Sequence, residues 1–169
     1  MKSYLYFLFA VLFAVSVRAG VLSPEKPRIG DQIRITYTPA GGPYADSAGL
    51  VAQVLIFRTE TMPLLLEPVL RREGKTWQGT FTLDTPGASF LICRFMVRDA
   101  ADDNGGKYWT ALVHGTDGKP VRNAHLDHAR CLNGQLPVFK VQRDPAAANA
   151  AIASELDLYP GNLPARSQR

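Results

Sequence analysis

Gly30-Asp31-Gln32-Ile33-Arg34-Ile35-Thr36-Tyr37-Thr38-Pro39 decides the fold class of this chain. Ile33, Ile35 and Tyr37 alternate with Gln32, Arg34 and Thr36. That two-residue period belongs to a strand with one face in a core and one in water, and Pro39 closes it. The same grammar continues downstream. Leu50 to Phe57 is an apolar, β-branched run that reads as a central strand, reached through the Gly- and Pro-rich loop Ala40 to Gly49. Leu64 to Arg72 reads as one strand at a sheet edge, because Pro68 has no N–H to donate to a ladder. Arg71 to Lys75 supplies a turn, after which Trp77, Gly79, Phe81 and Leu83 alternate with polar residues as the arm of a hairpin. Ser89 to Arg98 sets Leu91, Cys93, Phe95 and Val97 on one face. Phe90, Ile92, Arg94, Met96 and Arg98 lie on the other, which the arginines mark as the wetter one. Tyr108 to His114 is the last long strand. Short strands at regular intervals with turns between them specify a mainly β chain, an immunoglobulin-like antiparallel β-sandwich.

The C-terminal part changes character. Asn123 to Leu132 reads as a short helix stopped at Asn133-Gly134, and Leu136 to Val141 returns as one strand. Asp144-Pro145 opens a longer helix, the acid capping free amides and the proline standing where its missing donor costs nothing. Ala148, Ile152 and Leu156 recur at helical spacing, a narrow apolar stripe that must pack on something. Tyr159-Pro160-Gly161 ends the helix. The expected division is a sandwich over 20–142, a helix over 143–160 and a flexible tail over 161–169.

The chain begins with Lys2, an apolar run from Tyr4 to Val17, and Val17-Arg18-Ala19. A positive end, an apolar stretch and small residues at a cleavage edge define a secretory signal peptide over 1–19, cut after Ala19. The run stops short of a comfortable bilayer span and polar residues follow, so no stable membrane anchor is expected after cleavage. The product is expected to be exported, periplasmic or extracellular. Loss of Lys2 and Arg18 lowers the formal charge from +4 to +2. The remaining basic residues are scattered among acids, so nucleic acid is not an expected partner. A chain of about 150 residues buries roughly two thirds of its unfolded surface and folds without metal or disulfide.

Several phrases carry a resemblance: Ser23-Pro24-Glu25-Lys26-Pro27, Gly30-Asp31-Gln32-Ile33, Asp103-Asn104-Gly105-Gly106-Lys107-Tyr108-Trp109, Asp117-Gly118-Lys119-Pro120-Val121 and Glu155-Leu156-Asp157-Leu158-Tyr159-Pro160. Together they resemble the immunoglobulin-like N-terminal domain of secreted bacterial thioredoxin-like proteins, thiol-disulfide interchange proteins in which a redox domain with a Cys-x-x-Cys pair follows the sandwich. The resemblance spans Gly20 to Gly161 and implies a role accessory to envelope thiol-disulfide chemistry. The chain departs from that pattern by stopping where the redox domain would begin, as a shortened product of a longer thioredoxin-like protein would. Its two cysteines, Cys93 and Cys131, lie 38 positions apart. In an exported protein they are candidates for a structural disulfide. Two separate buried thiols are the alternative, since Cys93 falls on the core face of its strand.

The polar loop Asp99 to Gly106 and the aromatics after it form the densest candidate site. Asp103-Asn104-Gly105-Gly106 is similar to the terminal loop of some starch-binding sandwich modules. That likeness implies stacking of Tyr108 or Trp109 on a sugar, with Asp103 and Asn104 bonding hydroxyls. The competing expectation is that both rings fill cores. The same carboxylates do not match the ligand spacing of an EF-hand loop. His125, His128 and Cys131 recur every three residues but lack an evident fourth ligand, so neither metal nor cofactor is expected. No nucleophile elbow, zinc-protease helix or phosphate-binding glycine loop is present. The sequence thus points to a non-catalytic binding or interaction module whose partner is a protein or a glycan.

Overall fold

The computed structural model describes residues 21–41, 44–45, 47–59, 61–136 and 138–168; the signal-peptide expectation for 1–19 lies outside them. The alternation that opens the chain's β pattern becomes β2 (Gln32–Tyr37), with Ile33, Ile35 and Tyr37 buried. It follows β1 (Leu22–Ser23) and precedes β3 (Val51–Arg58), β4 (Thr61–Leu66), β5 (Arg71–Glu73), β6 (Thr76–Thr82), β7 (Ala88–Val97), β8 (Ala100–Asp102) and β9 (Trp109–Leu112). Helices α1 (Ala124–Leu132), α2 (Pro145–Leu158) and α3 (Leu163–Arg166) follow. None of the described helices is long and apolar enough to cross a membrane.

One sheet runs β1-β2-β6-β5, and the other runs β4-β3-β7, with β8 and β9 both paired to β7. All pairings are antiparallel. First, second, fifth and fourth main strands in one sheet, with the rest in the other, is immunoglobulin-like order, here with β4 as an added edge strand beside β3. The main core lies between the sheets. Ile33, Ile35 and Trp77 come from the first sheet and Leu83 from just past the end of β6, and Val54, Ile56, Leu91, Cys93 and Phe95 come from the second. Tyr37 and Phe95 stack across the interface with ring centroids 3.8 Å apart.

The single strand expected over Leu64 to Arg72 is instead two strands in different sheets. β4 pairs with β3 at the edge, and β5 pairs with β6 in the opposite sheet. Pro68 lies in the crossing between them. That crossing passes so near β6 that a Cβ on Gly79 would meet Leu70 Cδ2 and the Val69 carbonyl at 2.7 Å. The gap in the row Trp77, Gly79, Phe81 is thus filled by Leu70.

The second face of β7 is not wet throughout. Phe90 and Ile92, with Leu55 and Phe57 of β3, form a second core with Tyr108, Cys131 and Phe139. Arg94 marks where that cover ends: its guanidinium lies 4.4 Å from the Phe139 ring centre and donates to the Val138 carbonyl at 3.1 Å. None of the described residues of the strand expected over Leu136 to Val141 is in a strand. Phe139 is buried in that second core, and Leu136 and Val141, outside any strand, pack partly buried against it.

The helices complete the layering. Gly134, at φ 72, ends α1 in the left-handed conformation that glycine adopts without strain. Asp144 caps α2, its Oδ1 accepting the Ala147 N–H at 2.9 Å. The stripe Ala148, Ile152 and Leu156 packs on Ala129 and Leu132 of α1, so it is internal. The expected loose tail is also partly ordered: α3 forms, and Asn162 and Ala165 are buried against the helices.

Candidate functional site

Of the residues singled out in sequence as a sugar site, Asp103 and Asn104 lie in one loop whose polar groups are engaged locally, and Tyr108 and Trp109 follow it. Asp102 Oδ1 accepts the Asn104 N–H at 3.1 Å, and Asp103 Oδ1 accepts the Gly106 N–H at 2.9 Å. Asn104, Gly105 and Gly106 all have positive φ, the backbone pattern of a tight Asx-type turn. The Tyr37 hydroxyl donates to Asp102 Oδ2, tying the loop to the first sheet. Tyr108 is 4% exposed and tilts against Phe139 with centroids 5.3 Å apart. Trp109 enters the other core, edge-on to Phe95 at 5.1 Å and to Tyr37 at 5.7 Å. The two neighbouring rings point to opposite faces of one sheet, so Tyr108 offers no face to a sugar and Trp109 is half-buried.

The cysteines obey the same alternation. Cys93 belongs to the core between the sheets, and Cys131 to the core on the far side of the same sheet. Both are free and buried, and the sheet stands between them, so the candidate disulfide does not form. Burial pushes both thiols well above their ordinary pKa. His128 stacks on Phe90 with centroids 5.1 Å apart, and burial lowers its pKa, as it does that of His125. Among the described residues, no three His, Cys, Asp or Glu side chains gather where they would hold a metal.

Two buried acids went unmarked in the sequence reading. Glu155 of α2 is fully buried and binds the first turn of α1. Asp127 of α1 accepts the Ser89 hydroxyl at 2.6 Å and an Arg130 N–H at 2.8 Å. Desolvation raises the Asp127 pKa, and these two bonds pull it back down. The sequence held one signal for Glu155: it stands three residues after Ile152 and seven after Ala148, an acid on the buried stripe of its helix.

A groove opens between the β3–β4 hairpin and the helical layer. It consists of two adjoining clefts of about 660 and 350 Å³ that share Arg58, Thr61, Met62 and Arg130. The larger reaches Arg122, Asn162 and Leu163, and the smaller lies over Leu55, Phe57 and Val138. Met62, Leu163 and Val138 are 80%, 68% and 57% exposed. Arg58 donates from Nε and Nη2 to the Met62 carbonyl at 2.9 and 2.5 Å, which bends the hairpin end around its own guanidinium. Arg122 donates to the Gly161 carbonyl at 3.5 Å. Each guanidinium retains N–H donors beyond these bonds.

An immunoglobulin-like sandwich with one sheet face roofed by helices, and an arginine-lined groove at the seam, is the class of protein these features define. Comparison of the chain with protein-family models and with curated proteins finds no match.

Proposed function

We propose that this chain is an exported, non-catalytic interaction module whose partner-binding face is the groove between the β3–β4 hairpin and the helical layer. The observation that carries the proposal is the meeting of Met62, Val138 and Leu163 there. Each is a large apolar side chain left mostly in water, and together they rim a continuous groove. Exposed apolar surface gathered in one concavity marks a contact site, whereas single exposed residues do not. The non-catalytic reading is supported by the state of the reactive groups. The two thiols are sealed in cores, and Asp127 is held by Ser89 and Arg130. Export rests on the residue pattern of 1–19, and a role accessory to envelope thiol-disulfide proteins rests on the sequence phrases that resemble their N-terminal domains. A protein partner is favoured over a glycan, because Tyr108 is closed into a core.

The test is site-specific photo-cross-linking in the exporting cell, with the probe at Met62, at Val138 and, as control, at Lys75 in the exposed β5–β6 turn. Defined adducts from the first two positions and none from the third are expected. Silence at the groove, or equal labelling from Lys75, would sink the proposal.

A further inference from the structure

The charge on the groove assigns the chemistry of its partner. We infer that it receives an acidic, amphipathic polypeptide segment, whose carboxylates meet Arg58, Arg122 and Arg130 while its apolar side chains seat on Met62, Val138 and Leu163. This rests on the groove being the partner face. The three arginines come from the end of β3, the turn before α1 and α1 itself, and only the tertiary fold brings them to one groove. Among the described lining residues the sole acid is Asp127, which is buried and already bonded to Ser89 and Arg130. Arg58 and Arg122 bond to backbone carbonyls, which satisfy donors without cancelling charge. Among the described residues, no carboxylate pairs with Arg58 or Arg122, so their charge faces the groove beside apolar surface.

A polypeptide fits this surface better than the other anionic classes. Exposed ion pairs contribute little affinity by themselves, so a small free anion would gain little here. The exposed methionine, valine and leucine supply apolar contact, and the guanidiniums supply orientation, specificity and faster encounter. Among the described lining residues the one aromatic ring is Phe57, which is buried, so a single-stranded nucleic acid would find no ring on which to stack its bases. A segment carrying both Asp or Glu and apolar side chains complements every element of the groove, and the fork of each guanidinium matches a carboxylate in two-bond geometry.

The experiment is selection of displayed random twelve-residue peptides on the full chain, followed by affinity measurement for the enriched sequences. Enrichment of Asp and Glu interleaved with apolar residues is expected. Binding should fall at least tenfold in an Arg58→Gln/Arg122→Gln variant, weaken steeply with salt, and be lost in Met62→Asp. Because Arg58 also braces the hairpin, Arg122→Glu alone, at an exposed position, must show the same direction with an unchanged unfolding midpoint. Peptides that need Met62 yet show no acidic excess, or that bind the arginine variants as well as the parent chain, would overturn the charge inference and leave the groove proposal standing. Peptides indifferent to both sets of variants, or no enrichment at all, would overturn both.

Discussion

Glu155 Oε1 accepts the backbone N–H of Asn123 at 2.7 Å, so an acid in α2 caps the start of α1, a helix with no side-chain cap of its own. Its Oε2 accepts the His125 N–H at 3.2 Å, and Asn162 donates to Oε1 at 2.6 Å and to Asn123 Oδ1 at 2.8 Å. One buried carboxylate thereby joins both long helices and the chain leading to α3. The free N–H groups of a helix start demand partners, and a negative group is favoured there by the helix dipole.

Glu155→Ala takes the acceptor from the Asn123 and His125 backbone N–H groups, while the Asn162 amide keeps its bond to Asn123 Oδ1. It is expected to destabilise the fold by about 3 kcal/mol, since each bond to a charged group is worth roughly 1.5–3 kcal/mol. Glu155→Gln keeps the shape but turns one acceptor into a donor facing donors, at a cost of about 2 kcal/mol on the same scale. Urea unfolding followed by circular dichroism measures both; an effect of a few tenths of a kcal/mol would refute the capping role.

Stability is expected to fall on mild acidification because of His128. Burial, followed by repulsion from His125, lowers its pKa below the ordinary 6.5. As pH drops through 6.5 the unfolded chain binds the proton first, so the folded state loses ground until its own lower pKa is reached. Asp127 works the opposite way: its pKa is raised, so its cost is present at neutral pH and is relieved as pH falls through the folded value. His128→Phe keeps a ring against Phe90 and isolates the histidine contribution. Unfolding midpoints at several pH values between 5 and 7.5 should fall less steeply for the variant, and identical slopes would remove His128 as the cause.

Both cysteines should be silent to thiol reagents in the native state and react fully once the chain unfolds, with or without prior reduction. Cys93→Ser is expected to cost about 1–3 kcal/mol, because a hydroxyl would replace a thiol in an apolar core. Quantitative alkylation with mass detection decides. A mass lower by two hydrogens, lost on reduction, would establish the disulfide that the sheet forbids.

The exported form should begin at Gly20. N-terminal sequencing or intact-mass measurement of the chain recovered from the envelope or medium checks this, and retention of Met1 to Ala19 would count against export.

Much of the sandwich was legible, because a strand's alternation is a local property. Ile33, Ile35 and Tyr37 read as core residues and are buried, and β3, β6, β7 and β9 stand close to where their patterns place them. The two helices were marked by their own start and stop residues, Asp144-Pro145 and Asn133-Gly134. The failures share one cause. Alternation tells that β7 has two faces, but not that Phe139, 44 positions after Phe95 in sequence, will cover one of them. Pro68 in the Leu64 to Arg72 stretch suggested an edge, and only the pairing of β4 with β3 and of β5 with β6 shows that the chain there changes sheets.

The candidate site was less legible still. Asp103, Asn104, Tyr108 and Trp109 drew attention as a dense cluster, and their chemistry is turned inward to hold a loop and fill two cores. Arg58, Arg122 and Arg130 drew none, being ordinary scattered charges along the chain. By itself the sequence determined the class of fold, the placing of its two longer helices and the alternation of faces along strands such as β2 and β7, since these follow from spacing between near neighbours. The tertiary structure alone decided that Cys93 and Cys131 lie across a sheet, that Glu155 caps a distant helix and that three arginines share one groove. Those relations join residues tens of positions apart, and only the packing of whole layers sets which of them meet.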